Sequence, residues 1–166
     1  MSEGESLGKM VVVDPSSCTG CQLCVAACSL KHEAQVNPLY SRIRAVRFEG
    51  KGAYIPVTCQ QCKDAPCQSV CPVKAIERHE KTGALIVNQE KCIGCKACII
   101  VCPFGAISWT ADGKIVKCDL CDGDPLCVKL CTREALAYVP ATTAHLKTQV
   151  KAAEKFSEIL KKISGV

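Results

Sequence analysis

The chain has 166 residues, sixteen of them cysteine, and every cysteine falls into one of four groups of four. The groups are Cys18, Cys21, Cys24 and Cys28; Cys59, Cys62, Cys67 and Cys71; Cys92, Cys95, Cys98 and Cys102; and Cys118, Cys121, Cys127 and Cys131. The first and third are spaced C-x2-C-x2-C-x3-C, while the second and fourth widen the middle gap with the turn-forming insertions KDAP and DGDPL. Three cysteines at i, i+3 and i+6 cannot all point one way from a regular helix. A loop wrapped around a compact inorganic cube can turn all three inward, which is the spacing of iron-sulfur ligation. Zinc is the rival metal, because C-x2-C pairs also build tetrahedral sites, but it would strand the third and fourth cysteines of each group. A cube with a thiolate on every iron leaves no position for a substrate, so the chemistry expected is one-electron transfer rather than catalysis.

Disulfides are the other use of so many thiols, and they belong to secreted chains. The opening MSEGESLGKM has no apolar run of the kind a secretory leader carries, and no stretch is long and apolar enough for a membrane span. A cytoplasmic protein without a membrane span is therefore expected. The hydrophobic share of 48% counts cysteine; without it the share is about 39%. Aromatic residues amount to three Phe, three Tyr and one Trp. So thin a core implies that bound metal supplies much of the folding free energy and that the apo chain is largely unfolded.

The elements that must hold these loops are short. MVVV at 10–13, ALIV at 84–87, AISW at 106–109 and LAYV at 136–139 read as strands. Asp112-Gly113 predicts a hairpin turn between AISWT and KIVKC, and Gly50 and Gly52 the tip of a second hairpin over 42–57. Three groups continue alike, as CPVKAI, CPFGAI and CTREAL, which marks a duplicated unit. Helix formers in KAIERHE and REAL predict helical turns after the fourth cysteines. The fold class is thus α+β: tandem units of short hairpins and helical turns around four cysteine groups. Gly20 and Gly94 have no side chain to keep backbone N–H groups from the sulfurs, and Pro72 and Pro103 fix the chain direction just after a ligand. Residues 141–166 lack cysteine and repeat apolar positions at helical steps, Leu146, Val150, Ala153, Phe156, Leu160 and Ile163, predicting an amphipathic helix. That helix could fold back on its own domain, dock on a partner subunit or lie on a membrane surface. His32, His79 and His145 stand in no ligand-like spacing and read as surface or hydrogen-bonded residues.

From Cys59 to Ile107 the chain resembles a bacterial two-cluster ferredoxin, and from residue 10 to about 140 it is similar to the four-cluster electron-transfer subunits of the dimethyl sulfoxide reductase superfamily. In size it is closer to the small iron-sulfur subunit of tungsten-dependent aldehyde oxidoreductases and to subunits of benzoyl-coenzyme A reductase complexes. The last group is more compact than in many relatives, and Thr132 stands where proline is usual. The resemblance implies four [4Fe-4S] clusters with crossed ligands. Cys18, Cys21 and Cys24 would share one with Cys131, and Cys118, Cys121 and Cys127 one with Cys28. Cys59, Cys62 and Cys67 would share one with Cys102, and Cys92, Cys95 and Cys98 one with Cys71. It implies a domain over 1–140, with an inner unit at 58–110, an outer unit of 10–30 with 111–140, a hairpin insertion at 31–57, and the 141–166 helix for docking.

The function it implies is relay of electrons between a tungsten or molybdenum pterin catalytic subunit, with aldehyde as a candidate substrate, and a second redox subunit of the flavin/NAD kind. The alternatives are a free soluble polyferredoxin and the electron-transfer subunit of a formate dehydrogenase, hydrogenase or benzoyl-coenzyme A reductase complex. Clusters reaching both ends would also allow head-to-tail self-association. The apo charge of +5 falls to about −3 when four oxidised clusters at about −2 each are counted. Arg42, Arg44, Arg47, Lys63, Lys74, Lys96 and Lys117 would then offset cluster charge or face acidic partners, and no motif supports nucleic-acid binding.

Overall fold

The computed structural model describes residues 8–48, 50 and 52–142. The elements are short: β1 (Lys9–Val13), α1 (Leu23–Glu33), β2 (Arg44–Phe48), β3 (Ala53–Val57), α2 (Pro66–Ser69), β4 (Ile76–Arg78), β5 (Leu85–Val87), α3 (Ala97–Ile100), β6 (Ile107–Trp109), β7 (Ile115–Lys117), α4 (Leu126–Lys129) and β8 (Leu136–Pro140). Among the described residues the strands form four two-stranded antiparallel sheets, β2–β3, β4–β5, β6–β7 and the long-range pair β1–β8. This is an α+β architecture of small hairpins and short helices. The amphipathic segment expected at 141–166, and His145 with it, lies outside the described residues from position 143 onward.

The hairpins form where turn residues allow. Between β6 and β7, the Gly113 N–H donates to the Thr110 carbonyl at 3.0 Å with Gly113 at φ +83°. The reverse bond, Thr110 N–H to Lys114 carbonyl, is 2.9 Å. Gly50 and Gly52, both at positive φ, lie between β2 and β3.

The helices do not follow the fourth cysteines. Cys67, Cys98 and Cys127 sit inside α2, α3 and α4, so the helical turn carries the third cysteine and ends before the fourth. After Cys71, Cys102 and Cys131 the chain makes the same turn. Lys74, Gly105 and Glu134 each donate an N–H to the carbonyl of the cysteine three residues earlier and have φ between +50° and +59°. KAIERHE then becomes β4, whose Ile76 is buried beside Leu85, Ile107 and Ile115 in one apolar core, and REAL runs into β8. Burying a strand's apolar face overrides the helix propensity of those residues.

The first group differs: α1 continues through Cys28 to Glu33, and Ser29 after the cysteine leaves a backbone N–H that proline would lack. Buried Ser29 Oγ donates to the Ala26 carbonyl at 3.0 Å and accepts the Asn37 N–H at 3.2 Å, tying the helix to the segment that leads into β2. A second core of Val11, Ile43, Ala84, Leu120 and Leu136 joins β1 and β8 to this part of the chain.

Candidate metal centres

The four groups fold into four sulfur-lined cavities, each made from two groups. Cys18, Cys21, Cys24 and Cys131 line one of about 420 Å³ (the Cys21 cage), and Cys28, Cys118, Cys121 and Cys127 one of about 320 Å³ (the Cys121 cage). Cys59, Cys62, Cys67 and Cys102 line one of about 330 Å³ (the Cys62 cage), and Cys71, Cys92, Cys95 and Cys98 another of about 330 Å³ (the Cys95 cage).

The loop that turns the first cysteines inward has one backbone requirement. The residue before the second cysteine is left-handed in all four groups: Gly20 (φ +71°), Gln61 (+50°), Gly94 (+67°) and Leu120 (+63°). Glycine adopts this conformation freely, which explains two of the four; Gln61 and Leu120 carry the strain. At Gly20 there is a second reason. A Cβ there would lie 2.3 Å from Cδ1 and 2.4 Å from Cγ of Tyr54, whereas at Gly94 it would meet nothing within 4 Å.

Backbone N–H groups donate to the sulfurs: Arg42 to Cys28 Sγ at 3.3 Å, Gln61 to Cys59 at 3.4 Å, Ala75 to Cys71 at 3.2 Å and Ala106 to Cys102 at 3.5 Å. Two of these follow from the turns after Cys71 and Cys102. Pro72 and Pro103 stand at the exposed start of those turns, and Pro103 also lines the Cys62 cage.

The cages stand in file. Cys24 and Cys28, one turn apart on α1, face the Cys21 and Cys121 cages, and Cys127 with Cys131 spans the same gap. Cys67 with Cys71, and Cys98 with Cys102, join the Cys62 and Cys95 cages. Between the two pairs, the Gln61 side chain donates to the Cys118 carbonyl at 2.9 Å and accepts the Leu85 N–H at 2.9 Å, and Thr58 bonds the Cys118 thiol. Cys21 and Cys95, in the two end cages, are the exposed cysteines; Cys28, Cys59, Cys67, Cys118 and Cys127 in the middle cages are buried, as is Cys98 in the Cys95 cage, and Cys62, Cys102 and Cys121 of the middle cages are half-buried.

This donor set fits a cluster and not a single zinc ion. Tetrahedral zinc with Zn–S near 2.3 Å needs sulfurs about 3.8 Å apart. Among the described residues no three cysteine sulfurs lie within 4.8 Å of one another; the one ligand-like trio that close is His32, Asp119 and Cys121. Sulfurs outside the corners of a cube stand farther apart, as these do. None of the sixteen cysteines is in a disulfide. Burial pushes the thiols of Cys24, Cys98 and Cys118 up to about 11, so in the apo chain they hold their protons at neutral pH. A bound metal must displace those protons.

The Cys121 cage contains residues that spacing could not reveal. His32 Nε2 is 3.6 Å from Cys121 Sγ and 3.5 Å from Asp119, and burial followed by the Arg42 charge lowers its pKa. Asp119 also pairs with Arg42 and accepts the Cys121 N–H at 3.0 Å. His32 is 89 positions from Cys121, beyond any local motif. His79 bonds Thr82 at 3.2 Å, away from the cages. Trp109 lines none of the four cavities; it is half exposed, with Lys96 5.0 Å from its ring centre.

The 4Fe-4S dicluster domain family matches residues 51–141, and a 4Fe-4S binding domain matches 11–29. The chain belongs to the 4Fe-4S dicluster family. It is an iron-sulfur electron-transfer protein that carries several [4Fe-4S] clusters. It is similar to the polyferredoxin-like subunit of an aliphatic sulfonate oxidoreductase of Pyrococcus furiosus, with 45% identity over 133 residues, 79% of this chain and 76% of the relative. It is 39% identical over 152 residues to an uncharacterized ferredoxin of Methanocaldococcus jannaschii, covering 91% and 84%. Formate hydrogenlyase subunit 2 of Escherichia coli is 33% identical over 174 residues, covering 82% and 84%. Among the described residues no helix is long and apolar enough to cross a membrane.

Proposed function

We propose that the chain is the relay subunit of a larger oxidoreductase complex and does no catalysis itself. Each cage holds one [4Fe-4S] cluster through the four cysteines that line it, so that every group lends its fourth cysteine to a partner group. The observation that supports this is the file of cages whose fully exposed cysteines, Cys21 and Cys95, stand in its two end members. Electrons then arrive at one end, at Cys21 or Cys95, and leave at the other. When bound, the clusters supply one-electron redox chemistry. The chain's own residues fix the sulfurs and donate N–H groups to them, with no proton transfer required.

The catalytic partner we propose is a tungsten or molybdenum pterin subunit, with an aldehyde as substrate, and a flavin/NAD subunit takes the opposite end. Support comes from the family resemblance and from a relative that is a polyferredoxin-like subunit of an oxidoreductase. A formate- or hydrogen-linked complex is the second reading, favoured by the formate hydrogenlyase relative. The setting we propose is the cytoplasm, where sixteen unpaired thiols stay reduced. Anaerobic purification from native cells tests the proposal: the chain should co-elute with a tungsten or molybdenum protein and carry about sixteen irons. A lone monomer, or co-elution with a nickel enzyme, would reject the pterin partner; far fewer irons would reject the four-cluster relay.

A further inference from the structure

Lys117 ends β7 and is only 2% exposed. Its Nζ donates to the Leu85 carbonyl at 2.5 Å, and its side chain lines the Cys62 cage with Cys59, Cys62, Cys67 and Cys102. Among the described residues no carboxylate pairs with it; the lysines that form ion pairs are Lys91, Lys114 and Lys129, all on the surface. A buried ammonium with a single carbonyl is costly unless an opposite charge faces it. What it faces is a cage of thiols. Burial pushes the Cys62 and Cys67 thiols up, and the Lys117 charge opposes that shift at both.

The cations at the other cages are placed differently. Arg42 at the Cys121 cage is paired with Asp119. Lys96 at the Cys95 cage is exposed over Trp109, and Arg133 at the Cys21 cage is exposed. Pairing or water screens all three.

We propose that Lys117 is a potential-setting residue whose buried charge makes the Cys62 cage the easiest of the four to reduce, so that a single electron on the relay rests at an interior position. This rests on the four-cluster reading above. Reduction adds one electron, from a neighbouring cluster or an external reductant, and the cage gains one negative charge; no bond forms or breaks and no proton moves. A fixed cation in a low-dielectric site lowers the energy of that more negative state, and it acts most on the nearest cage.

The test is an anaerobic redox titration of the holoprotein followed by electron paramagnetic resonance, after iron and sulfide analysis. Lys117→Gln keeps a donor toward Leu85 and removes the charge; Lys117→Arg keeps both. In Lys117→Gln the first-reduced cluster should lose at least tenfold in its reduced-to-oxidised ratio at fixed potential, about 59 mV for a one-electron couple. The other three should move less, and Lys117→Arg should titrate like the wild type. Unchanged potentials in Lys117→Gln overturn the proposal, as does an equal loss in Lys117→Arg, which would mark a structural role.

A wild-type measurement decides the matter if the neutral variant fails to assemble. A soluble dysprosium complex speeds spin relaxation of surface clusters, so the first-reduced signal should respond less than the signals of the two end clusters. An equal response overturns the proposal. Iron far below about sixteen per wild-type chain would instead reject the four-cluster reading itself.

Discussion

Gly20 and Gly94 occupy the same position in their loops, yet substituting alanine should affect them very differently. Both sit at nearly the same φ, +71° and +67°, so each Gly→Ala change carries the same left-handed strain of about 1 kcal/mol. At Gly94 the new methyl enters open space. At Gly20 it would lie 2.3, 2.4 and 2.6 Å from three ring atoms of Tyr54. Cγ is joined directly to the Cβ of Tyr54, so the ring cannot clear the methyl by a small swing, and overpacking adds about 1–3 kcal/mol. Expressed in the barrier to cluster loss, Gly94→Ala should accelerate loss about fivefold, and Gly20→Ala about 30- to 900-fold. The assay is the decay of visible iron-sulfur absorption in anaerobic guanidinium, with iron counted on the recovered protein. Gly20 lies between Cys18 and Cys21, so the first irons lost should come from the Cys21 cage. Trimming the ring with Tyr54→Ala should restore most of the difference in the double variant. Equal rates for Gly20→Ala and Gly94→Ala, or no rescue by Tyr54→Ala, would refute the steric reasoning.

Removing iron anaerobically should abolish cooperative structure, because the apolar cores are small and sixteen thiols lose the metal that joins them; a sharp thermal transition of the apo chain by circular dichroism would contradict this. Whatever ellipticity the apo chain keeps should fade with alkali. The folded-state pKa of Cys24, Cys98 and Cys118, about 11, exceeds the unfolded value of 9.0, so their contribution is complete below about pH 9 and lost as pH rises through 11. A gain of ellipticity over that window would count against it. Asp119→Asn leaves the Arg42 guanidinium, whose Nε is already buried without a partner, short of its counter-charge. It should destabilise the Cys121 cage by about 2–3 kcal/mol, read as faster iron loss than in an Asp112→Asn control, whose ion pair with Lys114 lies on the surface.

The parts of this fold that were legible in the sequence are those fixed by local chemistry. Asp112-Gly113 specifies a turn through its own backbone, and the short apolar runs MVVV and LAYV mark strands even though their partners lie at opposite ends of the chain. The segment KAIERHE misleads because its propensity is helical while its surroundings are not. The Ala75 N–H is taken by Cys71 Sγ, Lys74 has already turned left-handed, and Ile76 gains more from the core than from a helix. His32, Gln61 and Thr58 carry no signal in their neighbourhoods, since the groups they touch are Cys121 and Cys118, far along the chain. Lys117 is visible as a lysine, but its burial depends on the register of β7 against β6, where it stands opposite Ile107.

The pairing of β1 with β8 also governs how the molecule can be made. All eight cysteines of the Cys62 and Cys95 cages lie between residues 59 and 102, so both can be filled while the nascent chain is still on the ribosome. The Cys21 cage has to wait for Cys131, and its flanking strand is not zipped until Pro140 has emerged to meet Lys9. On the four-cluster reading proposed above, the two cages built from residues 59–102 can therefore be filled first, and the earliest-synthesised cysteines wait among the last.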